Sequence, residues 1–150
     1  MFMGDMETMA KSCYEEWIIN NLNKISGFKY EDVSRLDEFP LEISLEVLKV
    51  LVGFACESQN DVPIMLGRAN ICKIDKSWLA KHLIEVAKSC LDLNDEWEYR
   101  RLFELVLEAV PELKQEVADI GFNSADDDIN EAAANLIKKG NEPNCLGEKL

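Results

Sequence analysis

The chain has one histidine, His82, and five cysteines, Cys13, Cys56, Cys72, Cys90 and Cys145. A single histidine excludes H-x-x-x-H and H-E-x-x-H metal motifs, which place two imidazoles on one helix face. Leu79 stands three residues before His82, so the Glu-x-x-His pairing of a di-metal carboxylate bundle is also missing. No two cysteines have C-x-x-C spacing, and an odd count argues against a disulfide framework. Cys13, Cys56, Cys72 and Cys90 lie in apolar helical patterns, where a free thiol acts as a small hydrophobe suited to a reducing cytosol. A serine or cysteine nucleophile would need His82 as its base, and no G-x-S-x-G turn or glycine-rich phosphate loop is present. Glu104 and Glu108 lie one helical turn apart and read as a solvated face, because glycoside chemistry needs carboxylates across a cleft. These residues assign no catalytic group, metal or cofactor, and the chain reads as a non-enzyme.

The densest group of polar and aromatic residues is Asp92-Leu93-Asn94-Asp95-Glu96-Trp97-Glu98-Tyr99-Arg100-Arg101-Leu102. Asp95 with Glu98 three residues on forms a capping-box-like helix start, and acids there oppose the helix dipole. Trp97 and Arg101 are one turn apart, so the guanidinium can lie on the indole. This group has a structural reading, an Arg–acid network locking helices at a corner. It also has a functional one, a recognition edge, because Trp, Tyr and Arg are favoured interface anchors. A second acidic group, Asp126-Asp127-Asp128, suits helix capping, and Glu15-Glu16 and Asp37-Glu38 are ordinary charged faces. The candidate partner-binding residues are Asp92, Asp95, Glu96 and Trp97, then Asp126 and Asp128.

The elements that must position these residues are helical. The chain has 150 residues, 47% apolar and 30% charged, which fits one domain with one core. Its net charge of −13 repels phosphate backbones and anionic lipid, so neither nucleic acid nor membrane is expected as a partner. The same charge would attract a basic protein and speed the encounter at low salt. The first residues show no basic segment followed by an apolar run, so no signal peptide is expected, and the location is expected to be cytoplasmic. The most apolar stretch, Leu41 to Cys56, contains Glu42, Glu46 and Lys49 and is too short to span a bilayer.

Helical periodicity predicts a first helix from Met6 to about Ile25 with Met6, Met9, Ala10, Cys13 and Trp17 inward, stopped by Gly27. A short helix is expected within 31–39. Pro40 then opens a central helix, Leu41 to Glu57, apolar on most sides and packed by several neighbours. Further helices are predicted from Pro63 to Lys73 and from Lys76 to Leu91, the latter capped by Asp75. After the loop 92–95 a helix buries Tyr99, Leu102, Phe103, Val106 and Val110. Pro111 breaks it and starts another, ending at Gly121. Ser124 is expected to cap the last helix, which carries Ile129, Ala132, Ala133 and Leu136 and ends at Gly140. The expected fold is all-α, with seven to eight antiparallel helices in a single domain over 1–140 and a polar tail over 141–150. Ile64, Ala69, Asn70 and Lys73 return 65 residues later as Ile129, Ala134, Asn135 and Lys138. Gly67 aligns with Ala132, a faint echo of the kind stacked helix pairs leave.

Gly67-Arg68, the run Leu91 to Leu102, Gly121-Phe122-Asn123-Ser124-Ala125-Asp126 and Ile129-Asn130-Glu131-Ala132-Ala133 together resemble a pattern in small bacterial helical proteins. Its last part is similar to a HEAT-type helical repeat, with Asn130 where the repeat has Arg. The match covers roughly Ile64 to Leu136, about half the chain. The resemblance implies an α-solenoid-type binding scaffold with no catalytic residues. Small acidic helical proteins of this sort resemble immunity proteins of bacterial toxin systems, including contact-dependent growth inhibition. Such a protein is expected to be a cytoplasmic monomer that covers a basic toxin domain; a nuclease is one such domain. The alternative is a helical-repeat adaptor that scaffolds another complex.

Overall fold

The computed structural model describes residues 2–142, with side chains from residue 13 onward. The α-helices are α1 (Phe2–Asn23), α2 (Leu41–Glu57), α3 (Asp61–Ile71), α4 (Lys76–Cys90), α5 (Glu96–Ala109), α6 (Lys114–Phe122) and α7 (Asp127–Asn141). Short 3-10 segments at Tyr30–Glu38 and Pro111–Leu113 join them, and all regular structure among the described residues is helical. The all-α expectation therefore holds. The expected tail, apart from its first two residues, and Cys145 lie outside the described residues.

The core is organised by two helices. α2 packs on α1, α3, α4, α5 and the 30–38 segment, which is why its sequence is apolar on most sides. Val47, Leu48, Leu51, Val52, Ala55 and Cys56 are buried along it. A Cβ on Gly67 would stand 2.7 Å from the Ala55 backbone nitrogen, so the glycine lets α3 settle directly on the α2 backbone. α5 is the second organiser and packs on α2, α3, α6 and α7. It buries Tyr99, Leu102, Phe103 and Val106, and Val110 just beyond its end is buried too, as the periodicity predicts. α4 approaches α2 closely but makes few close backbone approaches to α3 and α5, its neighbours in the chain.

Several local readings change. On α1 the inward residues are Ile18 and Leu22, with Tyr14 partly covered, while Cys13 and Trp17 are exposed. Apolar residues lie on several sides of this helix, so periodicity alone does not select the buried face. The side chains of Met6, Met9 and Ala10 lie outside the described residues. Cys72 is exposed and Cys90 half-buried, leaving Cys56 as the buried free thiol among the described cysteines.

Gly121 is not a helix stop. α6 runs on to Phe122, and a Cβ on Gly121 would collide with the Tyr99 hydroxyl and with Ala133. Gly140 likewise lies inside α7, against Leu107. Gly27, with φ of 84°, is the one glycine in a left-handed turn among the described residues. The cap of α7 is Asp126 and not Ser124: Asp126 Oδ1 accepts from the N–H groups of Asp128 and Ile129, while Ser124 Oγ accepts from the Asp126 N–H.

The echo between α3 and α7 coincides with burial at two pairs of positions. Ile64 and Ile129 are both buried, as are Gly67 and Ala132. It fails at the polar ones, since Asn70 is buried and donates to the Leu66 carbonyl whereas Asn135 is exposed.

Candidate functional site

The 92–102 group forms a rigid corner. Asp95 caps α5, its Oδ1 accepting from the Glu98 N–H at 3.1 Å. Glu98 reaches back past the cap to accept from the Asp92 N–H at 3.1 Å, and Asp92 Oδ1 accepts from the Asn94 N–H at 3.0 Å. The loop is thus closed by its own carboxylates, as a capping box closes a helix start. Glu96 pairs with Arg100 one turn on, at 2.6 Å.

Trp97 is 39% exposed and held on two sides. Its indole N–H donates to the Ser58 carbonyl at 3.1 Å, which ties the loop after α2 to the first turn of α5. The Arg101 guanidinium lies 4.4 Å from its ring centroid, the stacking that the sequence spacing predicts. Arg101 also meets Glu104 at 3.2 Å, and Arg68 of α3 meets the same carboxylate oxygen at 2.6 Å. Glu104 is therefore a partly buried tie between α3 and α5 and not the solvated face expected of the Glu104–Glu108 pair. The structural reading of this corner, an Arg–acid network that locks helices, is what the geometry contains.

The other acidic group lies on the adjoining loop. The Tyr99 hydroxyl donates to the Val117 carbonyl at 2.8 Å and its ring packs against Gly121, joining the start of α5 to the end of α6. Burial pushes the Tyr99 phenol up to about 12, opposed in part by the backbone of Gly121. Asn130, in place of the repeat arginine, donates from Nδ2 to the carbonyls of Gly121 and Ser124 at 2.7 and 3.0 Å and so fastens the turn into α7. These ties join the start of α5 to loop 58–60 and to α6, and the end of α6 to the turn before α7; the acids at these joined helix ends make up the acidic edge, Asp61, Asp92, Asp95, Glu96, Asp126, Asp127 and Asp128. Asp95 and Asp126 are helix caps as well as edge carboxylates. Asp128 is an exposed first-turn acid, a favourable place beside the helix dipole.

The far ends of the same helices are closed by lysines. Lys76 Nζ donates to the Ala109 carbonyl at the end of α5, at 2.7 Å, and Lys114 Nζ to the Gly140 carbonyl near the end of α7, at 3.1 Å. Unpaired carbonyls at a helix end attract cations, just as its start attracts acids. The acidic edge thus follows in part from which helix ends meet there.

Trp17 is a surface residue that its sequence pattern placed inside. It is 55% exposed and stands edge-on to Phe54, centroids 5.2 Å apart, with Tyr14 at 6.4 Å. These rings wall a groove between α1 and α2 that ends at Glu57, Ser58 and Asn60. Ser58 is also the residue that receives the Trp97 N–H, so the groove adjoins the α5 corner.

His82 lies apart from this edge. Its ring is 4.7 Å from that of Trp78, and the groove beside it is lined by Glu42, Glu46, Lys49 and Glu85, none of them a candidate site residue. Burial pushes the Cys56 and Cys90 thiols up, away from the thiolate form a nucleophile needs. Among the described residues no group of three His, Cys, Asp or Glu side chains is arranged to hold a metal ion. Nor is any helix there long and apolar enough to cross a membrane.

Comparison of the chain with family models, with curated proteins and with solved structures gives no match.

Proposed function

We propose that this chain is a cytoplasmic immunity-type protein that binds and neutralises a basic protein toxin through its acidic edge. The observation that carries this reading is the set of acids at the helix ends that Trp97, Tyr99 and Asn130 tie together. Asp92, Asp95 and Asp126 there accept backbone hydrogen bonds, Glu96 pairs with Arg100, and the partly exposed indole of Trp97 stands in the first turn of α5. A fixed carboxylate array needs little ordering when a partner arrives, and ordering is a main cost of association.

The chemistry of the partner follows from the charge. A nuclease domain holds phosphates and is positive at its active site, so an array of carboxylates competes for the same surface, and long-range attraction raises the on-rate. Affinity would rest on a few buried anchors and not on the acidic total. Of the acids, Asp92, Glu96 and Asp128 are the ones to alter, because Asp95 and Asp126 also hold helix starts together.

The direct test is a pull-down of the purified chain against the product of the neighbouring gene, followed by growth rescue of cells expressing that product. Binding and rescue are expected. A chain that binds without rescuing growth would point instead to an adaptor role.

A further inference from the structure

The groove between α1 and α2 has a volume of about 400 Å³. Tyr14, Trp17, Val50, Gly53, Phe54 and Glu57 line it. A Cβ on Gly53 would sit 3.2 Å from Glu57 Oε1, so the glutamate carboxylate folds back over Gly53 in the lining of the groove. Partial burial, then the neighbouring Glu98 carboxylate, holds the Glu57 carboxyl above its usual range. No lysine or arginine among the described residues lies within ion-pair distance of Glu57. The site thus combines an exposed indole, two further rings and a carboxylate that no described cation pairs.

The corner next door shows what such a set holds. There the Arg101 guanidinium lies over Trp97 and reaches Glu104, an indole below and a carboxylate beside it. We propose that the Tyr14–Trp17–Phe54–Glu57 groove receives an arginine side chain from a basic segment of the protein partner, stacked on Trp17 and paired with Glu57. Arginine fits better than lysine for a physical reason. Its guanidinium is planar, more weakly hydrated than an ammonium, and able to stack and to pair with a carboxylate at once. The inference rests on the reading of the chain as a binder of a basic protein, and it names the anchor that the acidic edge alone does not supply.

The test uses the full chain and two fluorescein-labelled peptides of equal length and charge, nona-arginine and nona-lysine, at low and at physiological salt. Nona-arginine should bind more tightly than nona-lysine. Trp17→Ala and Glu57→Gln should each weaken nona-arginine by about tenfold, the size of a stacked or desolvated cation contact, and remove the difference between the peptides. Trp17→Phe, which keeps an aromatic face, should retain part of it, and circular dichroism of each variant checks the fold. Equal binding of the two peptides, or variants that bind nona-arginine as the parent does, would overturn the groove as an arginine site while leaving docking along the edge intact. Failure of the neighbouring-gene product to bind at all, with peptide selectivity retained, would instead count against the toxin reading alone.

Discussion

Trp97 and Trp17 are both exposed tryptophans beside acids, and they differ in what already occupies them. Trp97 gives its N–H to Ser58 and its face to Arg101, whose charge is taken up by Glu104. Among the described residues Trp17 has two aromatic neighbours, Phe54 and Tyr14, is 55% exposed, and lines the same groove as Glu57. The first is mostly joinery: it binds α2, α3 and α5 into one frame. The second contributes less to that frame and is more available to a partner. Exposure alone does not separate the two; the count of partners does.

Four perturbations sharpen or break this contrast. The largest should come from the frame both tryptophans share. Gly67→Val places a branched side chain against the α2 backbone, which cannot yield as a flexible side chain would, and should cost about 3 kcal/mol or more of unfolding free energy in urea. A loss below about 1 kcal/mol would mean that α3 can shift without harm.

Next, Trp97→Ala should cost about 2 kcal/mol, because it removes packing, a hydrogen bond and a cation–π contact together. Trp17→Ala should cost clearly less by the same urea measurement. Equal losses would erase the distinction.

The third concerns the Tyr99 tie. An unfolded tyrosine loses its proton near pH 10, whereas burial holds Tyr99 to about 12. The folded state therefore keeps a proton that the unfolded state gives up. This part of the stability is intact below pH 10 and is lost as the pH rises towards 12, by about 1–2 kcal/mol. Tyr99→Phe should remove that part of the pH dependence, as read by the difference between the two proteins across pH 9 to 12.

The smallest effects separate a capping acid from a surface acid. Asp126→Ala should cost about 1 kcal/mol and Asp128→Ala less than about 0.5 kcal/mol in thermal unfolding.

Much of the fold is legible in the sequence where one face is apolar and the ends carry capping residues. α5 is the clearest case: Asp95 with Glu98 marks its start, its buried residues fall where a period of 3.6 puts them, and even the Trp97–Arg101 stack follows from the spacing. α1 was not legible, because its apolar residues lie all round and nothing in the chain itself says whether Trp17 or its neighbour Ile18 turns inward. Gly121 misled for a different reason. A glycine near the end of a periodic run marks equally a left-handed stop and a place of close packing, and Tyr99, far off in sequence, decided between them. Ser124 and Asp126 are both able caps two residues apart, and the structure uses both, one for the turn and one for the helix. The acids of the candidate site were visible, but their employment as caps and ion-pair partners was only half visible. The Trp17 groove needed two helices to be brought together before it existed.

The most direct measurement is the association rate of the chain with the neighbouring-gene product as ionic strength rises, for the parent and for a combined Asp92→Lys, Glu96→Lys, Asp128→Lys variant that retains its helical spectrum. Slower association and a shallower dependence on salt are expected for the variant. Identical rates and slopes for the two proteins would contradict this, because the carboxylates of this edge would then take no part in meeting the partner.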